Sequence, residues 1–538
     1  MRFKLLICRL IVFFGGVCCS ANLIAQQQID TVFTDIDYIR KSNTWLSSSN
    51  ASGLRFFSLP KISTAKIFLN KDNGEFKNFH QTDNSYTYGL SAESIYRLNP
   101  KVVFLGNVTY STFTGNNMGG SSFMDPYLNS FDIVELDDAN KGIKQLETYG
   151  LTGAVSTQLT SKFTIGGSID YQASNFAKMK DLRHINKLLN LGLSIGGLYE
   201  INDKVEFGLN YNYDRRIESI AFRSYGNTDR QFISLISFGS FYGRSELFDR
   251  YGYTSGENST PMTNFNHGAA FQLNIKLDKK IRYLNEFTFS ILKGFYGQDG
   301  TASVLYTQHG GNNYSYNGTL SIIGTKTEQY ISISANHQTL VNNENVYRRE
   351  TTTGGVSRIV YYGQSEVLDK QQLSAHLHYT LFKNVQNRNP RWEVNLSTGY
   401  FRRQQTTTIY PFYRDQTINS YQANANLKRN IIKANRIYSF AVGLGYGSGS
   451  GIAKYDGLYA TPSASQVAPT SMDLYLYQEF EYFTKPRVMA NLSLQYTKKL
   501  KQNIAPYAKL NYNYTKAFDT QFLGNSFGIA GASVGCNF

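Results

Sequence analysis

The sequence predicts an all-β fold: a transmembrane antiparallel up-and-down β-barrel of about 18 strands (range roughly 16 to 20), with short periplasmic turns and long extracellular loops. Three observations carry this. Only 17% of the 538 residues are charged while 14% are aromatic, with 40 Tyr and 36 Phe against 2 Trp and 10 Pro. Soluble domains carry about 25% charged residues and lean on Leu, Ala, Glu and Lys. Beyond the first 25 residues no run of about 18 apolar residues exists to cross a bilayer as a helix. From about residue 61 onward the chain runs in segments that alternate apolar and polar side chains, the period of a strand with one face to lipid and one to a lumen.

The chain starts Met1-Arg2-Phe3-Lys4, continues apolar from Leu5 to Val17 apart from Arg9, and reaches Ser20-Ala21 and Ala25-Gln26. This is the pattern of a secretory signal peptide, residues 1–25, cut after Ala25; an uncleaved anchor is the alternative. Cys8, Cys18 and Cys19 leave with it and only Cys536 stays. No disulfide framework is then available in the mature chain, and a closed hydrogen-bonded ladder must supply the stability. Residues 26–60 form an N-terminal periplasmic or plug segment, and residues 61–538 the outer-membrane barrel.

Strand faces are explicit in places. Val205, Phe207, Leu209, Tyr211 and Tyr213 alternate with Glu206, Gly208, Asn210, Asn212 and Asp214, and Val488, Ala490, Leu492, Leu494 and Tyr496 with Asn491, Ser493, Gln495 and Thr497. Short turns fall at 98–101, 161–162, 201–204, 278–282, 325–328, 383–391, 428–436 and 498–501. With a first strand near 61–70 and a last at 525–538, they give eighteen strands with both ends periplasmic. Residues 230–242 are strand-like but lie inside an outer loop.

The final segment, Ala530 to Phe538, alternates and closes on an aromatic residue. It resembles the C-terminal β-signal of outer-membrane proteins, which implies that Phe538 is read by the barrel-assembly machinery. With the Ala-Gln leader boundary, the whole resembles the single-chain barrels of Bacteroidota outer membranes, a likeness that names no activity. Asn50-Ala51-Ser52-Gly53-Leu54 is similar to the Asn-Pro-Ala-Gly/Ala-Leu element of FadL-like hydrophobic-compound channels, with Ala51 in place of the proline. That resemblance implies an N-terminal segment plugging the lumen; a periplasmic lead-in is the alternative.

Long loops at 114–144, 223–263, 341–369 and 447–484 are the first functional candidates, because such loops fold into a barrel mouth and set its selectivity. Phe232, Leu235, Ile236 and Phe238 are too apolar to float in water. They form either a constriction, which would favour a hydrophobic solute, or a rim hairpin. Asp132, Glu135, Asp137 and Asp138 have oxygen ligands for a cation, but their spacing matches no defined calcium loop and a solvated acidic loop is the simpler reading. His376 and His378 share a lumen face without a third ligand; His267 and His337 sit on apolar faces, as expected of amphipathic rings at a membrane interface. Other lumen candidates are Glu206, Asp214, Arg216, Lys276, Glu286, Glu393 and Lys509, whose mixed signs argue against a pore selective for one polarity. No metal, cofactor or catalytic site is expected.

A formal net charge of +15 would ordinarily raise nucleic-acid binding, but the positive residues concentrate in the short turns, on one rim. No nucleic acid is expected; membrane lipid is, and an acidic periplasmic partner could dock at Lys428, Arg429, Lys433 and Arg436. The functional expectation is a channel or transporter for passive or gated uptake of a small nutrient, a hydrophobic one if the apolar loop constricts the lumen. The alternative is a non-transporting subunit or scaffold of an outer-membrane complex.

Overall fold

A computed structural model describes residues 33–226, 230–300, 303–351, 355, 357–500 and 504–538. The leader expected at 1–25 and part of the turn at 498–501 lie outside them. Eighteen strands form one sheet: Lys61–Gly74, Asn84–Asn99, Val102–Met118, Gly142–Gln158, Phe163–Lys178, Arg183–Asn202, Val205–Arg223, Thr260–Lys276, Ile281–Gly297, Leu305–Ile323, Thr327–Thr351, Ser357–Gln386, Asn389–Ile409, Phe412–Lys433, Arg436–Leu458, Arg487–Lys498, Ala505–Ala517 and Ser526–Asn537. Each pairs antiparallel with the next. The first closes on the last, from Thr64 opposite Asn537 to Gly74 opposite Phe527, so the sheet has no free edge.

The alternation read from sequence sets the faces. Ile67, Ile195 and Val534 are 69, 68 and 65% exposed on the outer wall, where water would penalise them and hydrocarbon would not. All eight short turns lie at one end, between the strand pairs predicted. Two are tighter than expected. At 383–391 the strands run on to a two-residue turn, Asn387-Arg388, with φ of 50 and 60°, the left-handed pair that matches the twist of a hairpin. At 428–436 only residues 434 and 435 are outside strands, so Lys428, Arg429, Lys433 and Arg436 belong to the ladder.

The outer loop expected at 341–369 is instead an extended hairpin. Thr327–Thr351 and Ser357–Gln386 have 25 and 30 residues and stay paired throughout, with Val341 opposite Asp369 and Tyr347 opposite Tyr361. A tilted strand needs only about 9–11 residues to cross the hydrocarbon. Beyond it the outer face leaves lipid while the inner face packs on the mouth loops through Leu340, Asn342 and Val367, so strict alternation stops and the ladder continues without the sequence signal. Likewise the strand Arg436–Leu458 extends into the loop expected at 447–484, whose remainder carries a helix, α2 (Asp473–Thr484). The strand-like segment at 230–242 does pair, in a separate sheet of four short strands at the long-loop end: Asp132–Glu135, Ile233–Ser237, Tyr242–Leu247 and Thr470–Ser471. At the short-turn end a helix, α1 (Ile36–Ser42), and two 3₁₀ turns, Thr44–Ser47 and Ala51–Phe56, precede the first strand.

Barrel closure gives Phe538 a structural place: its amide donates to the Ser63 carbonyl (3.0 Å) and its carbonyl accepts from the Ser63 amide (3.1 Å), while the Lys61 ammonium lies 4.9 Å from its ring. Deleting Phe538 removes the last rung of the seam and is expected to lower the yield of the heat-modifiable folded form on gels. Unchanged yield would remove the assembly role from this residue.

Candidate functional site

A barrel of 16 to 18 strands encloses more space than its own inward side chains fill. Here the lumen is occupied from both ends. At the short-turn end residues 33–60 enter and meet a set of wall carboxylates, each answered by a donor of the segment. Trp45 Nε1 donates to Glu206 at 2.6 Å, and Ser48 Oγ and the Ser49 amide donate to Glu286 at 2.7 and 3.0 Å. The Tyr38 hydroxyl donates to Glu328 at 2.9 Å. Lys41 pairs with Glu393 and Arg55 with Glu200, both at 2.9 Å, and Arg40 bridges to Glu93. One pair is reversed: Asp35 caps α1 through the Asp37 and Tyr38 amides and takes Lys428 at 3.0 Å. Burial pushes the Asp35 carboxyl up, but Lys428 and the two amides outweigh it and hold it below the usual carboxylate range. Burial and the adjacent Glu328 raise the Tyr38 hydroxyl well above its ordinary value.

Asn50 makes the tightest junction. Its Nδ2 reaches the Gly197 and Leu209 carbonyls (3.0 and 3.3 Å) and Gln272 Oε1 (3.0 Å), while its Oδ1 accepts from the Ser52 amide (3.1 Å) and hydroxyl (2.6 Å), capping the turn Ala51–Phe56. The wall admits it because it is glycine there: a Cβ on Gly166 would lie 2.2 Å from the Ser52 nitrogen, and one on Gly196 2.5 Å from Asn50 Oδ1. An apolar patch backs this up, with Phe57 and Leu59 wholly buried among Ile62, Ile95, Val103 and Phe382. Two cavities flank the segment. One of about 660 Å³ runs between it and the strands closing the barrel, lined by Lys66, Glu93, Ser439, Ser493, Lys509 and Ser533 among others. Another, about 410 Å³, is lined by Asn43, Trp45, Glu206, Lys276 and Arg282.

At the mouth, the four-stranded sheet and α2 pack into the barrel. Phe238 is fully buried, with Phe232 and Ile236 nearly so, against the wall residues Ile220, Phe222, Met262 and Tyr296 and the loop rings Phe123, Phe131 and Tyr253, while Leu235 is fully buried in a second cluster with Phe79, Val134, Phe241, Tyr475 and Leu476. They are the core of a cap and do not line a passage, so the constriction read from sequence is a dry closure. Arginines of the wall hold it. Arg414, buried, makes two bonds to Asp456 (2.6 and 2.8 Å) and reaches Ser471 Oγ and the Ser240 carbonyl. Arg403 grips Glu479 of α2 at 2.5 and 3.1 Å, and Tyr127 donates to the same carboxylate at 2.9 Å. Glu481, next on α2, accepts from the amides of Gln521, Phe522 and Leu523 and so pins the last loop.

The other sequence candidates separate. Glu206, Lys276, Glu286 and Glu393 all reach the N-terminal segment or its partners; Lys276 bridges to Glu206. Lys509 lines the larger cavity. Asp214 accepts from Asn266 (3.4 Å), and Arg216 pairs with Glu218 at 3.1 Å, under the loop that contains Met124. His378 contacts Thr380 at 3.0 Å; His376 is exposed. Asp132, Glu135, Asp137 and Asp138 disperse: Asp132 takes Ser121 Oγ and the Ile133 amide, Glu135 takes Lys178, Asp137 takes Arg230 and Asp138 takes Lys141. Among the described residues no group of three His, Cys, Asp or Glu side chains is placed to hold a metal. His267 bonds Tyr211 at 2.6 Å on the outer face. Of the basic rim, Lys428 turns inward to Asp35 and Glu393, while Arg429 lies 4.8 Å over Trp392 and Lys433 6.0 Å over Tyr438. Sequence reasoning missed Arg403 and Arg414, whose partners Glu479 and Asp456 are distant in the chain, and His80, buried in the loop 75–83 with its ring against Phe79 and Tyr127.

The chain belongs to the family of unknown function DUF6850, whose model matches residues 51–538. No curated protein matches. Solved structures similar to it include BauA, the ferric preacinetobactin receptor from Acinetobacter baumannii (7% identity, 89% of this chain, 80% of that one, TM-score 0.40), the siderophore receptor PiuA from the same organism (9%, 88% and 81%, 0.33), and the CymD monoaromatic hydrocarbon channel (10%, 91% and 91%, 0.30).

The segment's hold is open to test. Asn50→Ala removes a cap worth about 1 kcal/mol and leaves buried acceptors short of a donor at about 1–3 kcal/mol. Cleavage of the folded barrel by trypsin at Arg40, Lys41 and Arg55 should accelerate by about tenfold or more; an unchanged rate would show that the junction does not hold the segment. At the mouth, burial lowers the His80 imidazole to about 4. The unfolded chain, at about 6.5, then binds the proton first, so the cap loses stability as pH falls from about 6.5 to 4 and no further below that. The difference in cap stability between wild type and His80→Gln, read by hydrogen exchange of residues 75–83, should change over that window and stay flat above pH 7.

Proposed function

We propose that the protein is an outer-membrane barrel that admits a small polar solute, and that this state is its closed one. The observation that carries the reading is the way residues 33–60 are held: by ion pairs and hydrogen bonds to the wall, beside cavities of about 660 and 410 Å³, with an apolar patch confined to the short-turn end. Where the segment is attached through half-exposed ion pairs, as at Arg40 and Lys41, and water can replace its partners, it opens at lower cost than a packed apolar core. The polar lining favours a polar solute, because the apolar residues expected to select a hydrophobic one are inside the cap. Water contact of the polar inner face and lipid contact of the apolar outer face support the membrane location.

The second reading, a barrel that scaffolds an outer-membrane complex and conducts nothing, is favoured by the mouth. Its cap is as tightly packed as a protein core, with Ile133, Leu235 and Phe238 at zero exposure.

Planar-bilayer recordings distinguish the two. Wild type should show rare, small steps; deletion of residues 33–56 should raise conductance, and deletion of 233–247 in the same chain should give stable ohmic steps. Silence of the folded double variant would leave the scaffold reading.

A further inference from the structure

Inside the mouth, below the loop sheet, is a small, partly open cavity of about 60 Å³. On this measure a single water needs about 10–15 Å³, so the space takes a few waters or one small polar group. Its walls are chemically specific. Lys370, on the strand Ser357–Gln386, lines it and is only 8% exposed, yet no hydrogen bond or salt bridge joins its ammonium to any described residue. Asn129, 2% exposed, lines it too, with both side-chain atoms unpartnered; Nε of Arg403 is likewise an orphan donor.

Buried ammonium groups and amides left without partners are costly, and a cavity edged by them indicates a missing group. The charges facing it define that group. Arg403 is neutralised by Glu479. Asp132 engages Ser121 and the Ile133 amide through Oδ1, with burial raising its carboxyl to about 7. Glu479 and, more weakly, Asp125 act on Lys370 at longer range, without a salt bridge. One cation and the N–H donors of Asn129 and Arg403 are left over, beside two unpartnered oxygens, Asn129 Oδ1 and Asp132 Oδ2, with no carboxylate bound to that cation.

We infer that this cavity is a binding site for a small carboxylate, held by Lys370 with Asn129 and Arg403 supplying the remaining donors. The charge is met by Lys370, and the planar oxygens by side-chain N–H groups, the pairing that makes charge-assisted hydrogen bonds strong. The occupant sits between the barrel wall and the loop that contains Asn129 and would tie the cap to the wall. The inference stands whether or not the barrel conducts.

The test uses the purified full-length protein, folded in detergent, titrated with sodium acetate and with acetamide while heat and thermal unfolding are followed. Acetate should bind saturably and raise the unfolding temperature; acetamide, of the same shape without charge, should do neither. Lys370→Met and Asn129→Asp, each checked for the heat-modifiable band, should weaken acetate by about tenfold or more. Hexanoate separates the sources: binding as tight as acetate marks the carboxylate end of a larger solute, and exclusion marks a free small acid. Absence of saturable acetate binding in wild type, equal binding of acetamide, or undiminished binding in the folded variants would overturn the site.

Discussion

The constraint on which the rest depends is the pairing of wall carboxylates with residues 33–60. Glu206 has no exposed surface and Glu286 and Glu393 are nearly buried. An ionised carboxylate in such a place is strongly destabilising without partners, and removing one partner of a buried pair costs about 3–5 kcal/mol. The wall contributes some of what they need: Asn274 and Lys276 to Glu206, Gln272 to Glu286, Asn395 and Lys428 to Glu393. The rest comes from Trp45, Ser48, Ser49 and Lys41. Folding of the segment and solvation of the wall are therefore one event, and a displaced segment must be replaced by water.

This arrangement explains why the segment is anchored at one residue and balanced at many. Among the described residues Asn50 alone bonds both to wall carbonyls and to its own turn, and glycines clear its place. The surrounding pairs are individually modest because several remain half-exposed, as with Arg40 and Lys41 at 37 and 38%. Their number gives register. The mouth follows the opposite logic: an apolar core does the packing, and Arg403 and Arg414 fix its orientation. Two closures of different chemistry, a wet one and a dry one, bound the same lumen.

Much of the architecture was legible because lipid imposes it. Every strand that crosses hydrocarbon must alternate, so the turn positions, the eighteen strands and the lumen side of Glu206, Glu286 and Glu393 followed from period two. Where lipid ends the signal ends, which is why the hairpin around residues 341–369 read as a loop and α2 went unseen. The segment's partners were illegible for another reason. Trp45 and Glu206 are 161 residues apart, and nothing in either neighbourhood marks the other; only Asn50 with its small neighbours stood out. Phe232 to Phe238 were recognised as too apolar for solvent, but a core and a constriction have the same composition. Exposure alone tells them apart.

Amide hydrogen exchange of the folded, full-length barrel, resolved over residues 43–57, tests the docking of the segment most directly. The Ser49 amide donates to Glu286, Ser52 to Asn50, Gly53 to the Asn50 carbonyl and Phe57 to that of Leu54. These amides should exchange at least a hundredfold more slowly than in the urea-denatured chain, since about 3 kcal/mol of protection corresponds to that factor. Exchange at the denatured rate, in a barrel whose strands remain protected, would contradict the account.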